Sequence, residues 1–84
     1  MTFTFPNWKI SDVEDLLFWS VFEAEEIWGK KRVREELDFT FDKETKVLDI
    51  PWSNLNVLFC GVVMRKIREK QAEGLEPVEK GGKQ

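Results

Sequence analysis

A chain of 84 residues, 42% hydrophobic and 35% charged, is enough for one small globular domain with a heavily charged skin, and it excludes both a multidomain protein and a disordered one. Its formal net charge of −3 gives no general attraction to nucleic acid or anionic lipid. The absence of His removes the usual general base and the commonest metal ligand, and one cysteine, Cys60, excludes an internal disulfide and a structural zinc site.

Taken in chain order, Thr2, Phe3, Thr4 and Phe5 alternate as a short strand, ended by Pro6 and Asn7. Ser11, Asp12, Val13 and Glu14 have the spacing of a capping box, which predicts a helix over 12–28 stopped by Gly29. At about 100° per residue, Val13, Leu16, Leu17, Ser20, Val21, Ala24, Ile27 and Trp28 share one broad face, able to cover a sheet. Next, Val33, Leu37, Phe39 and Phe41 alternate with polar residues, and Leu48, Ile50 and Trp52 do the same. This pattern predicts a hairpin over 32–41 and 46–52 around the polar loop at 42–45. Setting Phe41 opposite Lys46 puts Phe39 opposite Leu48, Leu37 opposite Ile50 and Asp38 opposite Asp49, with the apolar residues on one face.

Ser53 is suited to cap a last helix over 54–72, apolar in its first half and charged in its second. Residues 56–63 also have the Val and Phe content of a strand, but the helix is the preferred reading. From residue 74 the chain has no apolar periodicity. A single globular domain over 1–73 and a flexible tail over 74–84 are expected. The resulting class is α+β, in the order β-α-β-β-α, with a three-stranded, mostly antiparallel sheet packed by two helices.

Three features could carry function. First, the helix over 12–28 bears six acidic residues and no basic one. Trp19 falls in its outer stripe among Asp15, Glu23 and Glu26, and Phe18 and Phe22 lie beside the sheet-covering face. Phe18 and Phe22 are expected to be covered by a neighbouring element. Trp19 in its acidic ring is expected at a protein interface, with Phe18 and Phe22 as adjoining candidates. Second, Lys30, Lys31, Arg32 and Arg34 form one basic cluster, and Arg65, Lys66, Arg68 and Lys70 form another. These could contact a phosphate backbone, with Trp8 or Trp28 stacking on a base, but solvated helix ends are the simpler account. Third, Asp38 facing Asp49 would crowd like charges, and such a site suits a basic partner better than a metal ion.

No catalytic, cofactor-binding or metal-binding residues are assigned, and enzymatic activity is not expected. The reading that fits best is a small accessory module, of a kind found in viruses and phages, that engages a larger protein as inhibitor or adaptor. Nucleic-acid binding and a structural subunit of a homo-oligomer are the alternatives. The single cysteine suits a reducing compartment, the cytoplasm, or the host cytoplasm for a viral protein. The longest apolar run, 57–64, is far short of the roughly 20 residues that span a bilayer, so no membrane partner is expected.

Overall fold

The computed structural model describes residues 1–74 and 79–81 and has an α+β architecture. In chain order the elements are β1 (Thr2–Thr4), α1 (Ile10–Trp28), α2 (Lys30–Glu36), β2 (Thr40–Asp42), β3 (Val47–Asp49), α3 (Asn54–Ala72) and β4 (Glu79–Gly81). The core of the sheet is antiparallel, in the order β2-β3-β1. Glu79–Gly81 pair with the other side of β1, also antiparallel. The remainder of the tail expected from the sequence lies outside the described residues.

The strands are three residues each, so side-chain packing has to hold what few ladder hydrogen bonds cannot. Phe41, Leu48 and Phe3 stand in register across β2, β3 and β1, and Leu48 and Phe3 are fully buried. Phe5 and Ile50 extend this inner face, while Thr40, Asp42 and Asp49 point to the exposed outer one. The helices therefore cover one side of the sheet. The core closes with Trp8, Val13, Leu16 and Ala24 from the N-terminal half, and with Phe59, Val63 and Ile67 from α3. Phe39 stacks on Phe59 at 5.5 Å, which fastens the hairpin to α3.

Several elements form as the sequence predicts. Gly29, at φ +91°, ends α1, and its N–H donates to the Glu25 carbonyl. Ser53 Oγ accepts the Asn56 N–H at 3.2 Å, and α3 occupies the expected span, which resolves the helix-or-strand ambiguity at 56–63.

Three details differ. The capping box at Ser11 does not form, because α1 begins earlier, at Ile10. The chain turns through Pro6 and Asn7, with Trp8 N–H donating to the Phe5 carbonyl, and the buried Trp8 packs edge-on against Phe5 at 5.1 Å. That anchor sets the helix entry, and the Lys9 carbonyl takes the N–H groups of Asp12 and Val13.

Second, residues 30–36 form helix α2 instead of the first half of a strand. Positions 33, 37 and 41 are four apart, so they fit helical spacing as well as alternation, and Lys, Arg and Glu are good helix formers. Only Val33 of α2 is buried. Third, Phe41 faces Leu48 rather than Lys46. This two-residue slip keeps the apolar residues on the same face, as a period of two requires. It also moves Asp49 opposite Thr40, so Asp38 and Asp49 do not confront each other. Asp38 instead donates its N–H to Asn56 Oδ1 at 3.1 Å.

Gly61 lies inside α3, is exposed, and has nothing within 4 Å of where a Cβ would stand. Gly61→Ala is expected to stabilise the protein by about 0.5–1 kcal/mol, since nothing in the fold uses the glycine. Leu48→Ala, at the centre of the sheet, is expected to cost about 2–5 kcal/mol. Denaturant unfolding of the two variants beside the wild type checks both values.

Candidate functional site

The face of α1 that meets the sheet is set by Val13, Leu16, Leu17, Ser20 and Ala24, all buried. The Ser20 hydroxyl donates to the Leu16 carbonyl at 2.7 Å, so its burial leaves no unpaired polar group. Val21 and Trp28, from the predicted apolar face, are half-buried, and Ile27 is exposed.

That rotation of α1 leaves three aromatic residues outside. Phe18 is 62% exposed, Trp19 47% and Phe22 48%. Neither α3 nor the N-terminal strand covers Phe18 and Phe22, contrary to the expectation that a neighbouring element would. The three rings form one cluster: Trp19 meets Phe18 edge-on at 5.1 Å and Phe22 at 5.5 Å. Such edge-to-face pairs hold each other's orientation and present a preformed apolar surface.

The cluster borders two depressions. On one side, an apolar groove of about 540 Å³ runs between α1 and β2. Leu17, Phe18, Val21 and Phe22 form its helical wall, and Phe39 and Phe41 the opposite wall. Glu14 and Glu25 mark its ends on α1, and Lys43 Nζ reaches from the hairpin loop to Glu14 at 3.0 Å. On the other side, Trp19 lines a smaller recess of about 240 Å³ with Leu16 and charged residues of α1 and α3.

The acidic stripe of α1 is largely spent within the molecule. Glu23 pairs with both Arg65 and Lys66, and Asp15 with Lys70 at 3.0 Å. The Asp15 carboxylate, by hydrogen bonding to Lys70, holds that ammonium above its ordinary value. Asp15 and Glu23 thus face α3 rather than ringing Trp19 for a partner. Glu25 and Glu26 have no ion pair among the described residues. The same pairs engage three of the four cations in the second basic cluster, leaving Arg68 exposed. The first cluster lies on α2, where Lys30, Lys31, Arg32 and Arg34 are exposed and Arg32 pairs with Glu36. Trp8, a candidate for base stacking, is buried and cannot serve; Trp28 is half-buried.

Sequence reasoning brought Phe18, Trp19 and Phe22 forward but missed the groove wall at Phe39 and Phe41 and the end carboxylate Glu25. The available signal was the quantity of aromatic side chains, seven Phe and four Trp, too many for so small a core. Among the described residues no group of three or more potential metal ligands converges, and no helix is long and apolar enough to cross a membrane. Cys60 is a packing residue, and burial pushes its thiol above the ordinary 9.0. No family model, curated protein or solved structure matches the chain.

Two outcomes follow from these environments. Glu23→Gln is expected to lower stability by about 0.5–1 kcal/mol at low ionic strength, with the difference shrinking toward zero in about 1 M salt. Thermal or denaturant unfolding at both salt concentrations measures it. Below pH 9.0 the Cys60 thiol is protonated in both the folded and unfolded states. As pH rises further, the unfolded chain ionises first, so stability is expected to fall there, and to fall less in Cys60→Ala.

Proposed function

We propose that this protein is a small, non-enzymatic protein-binding module that engages a larger protein through the outer surface of α1. The observation that carries this reading is the exposed cluster of Phe18, Trp19 and Phe22, continuous with the apolar groove beside it. Burying three aromatic side chains on association is a large gain for so small a surface, and left in water they gain nothing. Trp is the residue type most enriched at energetic centres of interfaces, and Trp19 is the middle ring here. Glu25, at the end of the groove, favours a partner that brings a cation next to its apolar contact.

The test compares a Phe18→Ser/Trp19→Ser variant with Trp52→Ser, which removes an exposed Trp away from α1. All three residues are exposed, so both variants are expected to keep the circular dichroism and unfolding midpoint of the wild type. Tagged proteins are used to capture partners from the source cell, and binding is then repeated with the purified partner. A partner retained by the wild type and by Trp52→Ser but lost by the α1 variant is the expected result. Equal retention by all three would overturn the reading. A dimer mass in light scattering that reverts to monomer in the α1 variant would reassign the surface to self-association.

A further inference from the structure

The hydrogen bonding of the sheet adds a second element to this surface. Met1 and Ile50 exchange hydrogen bonds, each of 2.8 Å, and Phe5 N–H donates to the Lys46 carbonyl at 3.0 Å. In an antiparallel ladder, successive residues turn their N–H and C=O groups to opposite sides. Residues 46, 48 and 50 therefore face β1, while Val47 and Asp49 face β2, opposite Asp42 and Thr40. On β2 this leaves the N–H and C=O of Phe41 directed away from the sheet. No described strand lies beyond β2.

Phe41 thus presents two open backbone groups at an edge and an aromatic ring that forms a wall of the groove. Its neighbours Thr40 and Asp42 are exposed on the opposite face, and Asp38 is exposed just before them. A residue that exchanged hydrogen bonds with Phe41 would have its side chain on the Phe41 face, at the groove, and its neighbours would lie beside the carboxylates. Groove, edge and charge specify one occupant: an extended segment in which an apolar residue stands between basic ones.

We propose that β2 takes up such a segment of the partner protein as an added antiparallel strand, with its apolar side chain entering the groove between Phe41 and α1 and its basic residues meeting Asp38, Asp42 and Glu25. The proposal rests on the protein-binding reading and gives the partner its chemistry. Main-chain pairing supplies affinity, and alternate side chains supply selectivity.

The probe is a capped, fluorescein-labelled peptide, Lys-Val-Lys-Ile-Lys-Val-Lys, compared with the same peptide N-methylated at its three apolar residues. Charge and side chains are then equal, and only the backbone donors differ. The expected result is binding of the first peptide and at least about fivefold weaker binding of the second. Hydrogen exchange of the Phe41 amide, followed by NMR, should slow by about tenfold or more at saturation. Asp42→Asn keeps the oxygen that accepts the Glu44 and Thr45 N–H groups and should weaken binding about threefold. No binding up to about 1 mM, equal affinity for the methylated peptide, or unchanged Phe41 exchange would each overturn strand addition. Those failures leave the aromatic surface to be judged by the partner experiment. Conversely, slowed Phe41 exchange in the Phe18→Ser/Trp19→Ser variant would support strand addition even if the partner experiment failed.

Discussion

The burial of Trp8 against Phe5 is the contact on which the arrangement of α1 depends. Trp8 is the largest fully buried side chain, and its carbonyl accepts the Lys46 ammonium at 2.7 Å, joining the end of the N-terminal segment to the hairpin loop. Lys46 itself is held at φ +58°, a conformation stabilised here by its N–H to the Asp42 carbonyl. With Trp8 fixed, α1 can enter at only one angle and one rotation. That rotation puts Leu16, Ser20 and Ala24 inward, and for the same reason puts Phe18, Trp19 and Phe22 outward. The exposed aromatic cluster is thus a direct result of how the core is closed.

Electrostatics then orders the second layer. α1 is acidic and the second half of α3 is basic, and the two run together with Glu23 and Asp15 set against Arg65, Lys66 and Lys70. Each pair is partly exposed and adds little stability by itself. Together they define the side of α1 on which α3 lies, and so leave the side toward β2 open. Two charge blocks that look in the sequence like two separate binding surfaces are mostly one internal contact.

The parts of the fold legible in the sequence were those with a local cause. Gly29 and Ser53 marked helix ends through backbone geometry and capping, and the apolar face of α1 followed from its periodicity. Helix α2 was not legible because Val33, Leu37 and Phe41 satisfy two periods at once. The register slipped by two because nothing in the loop sequence distinguishes two pairings that present the same face. For the candidate site, the type of residue was legible and the surroundings were not. Trp19 stood out by its position among carboxylates, yet those carboxylates turned out to serve α3. The groove joins residues of α1 to Phe39 and Phe41, far along the chain, and such a meeting has no local signature.

The placement of β1 has a consequence for how the chain reaches this state. β1 lies between β3 and β4, so the first strand made by the ribosome waits for partners at Val47–Asp49 and Glu79–Gly81. Until then Phe3, Phe5 and Trp8 have no core to enter. Helices α1 and α3 can form early from local contacts, but the sheet closes only when nearly the whole chain is available. Contacts of such long sequence separation slow folding and prolong the exposure of apolar segments. For its size, this protein is therefore suited to folding after synthesis rather than during it.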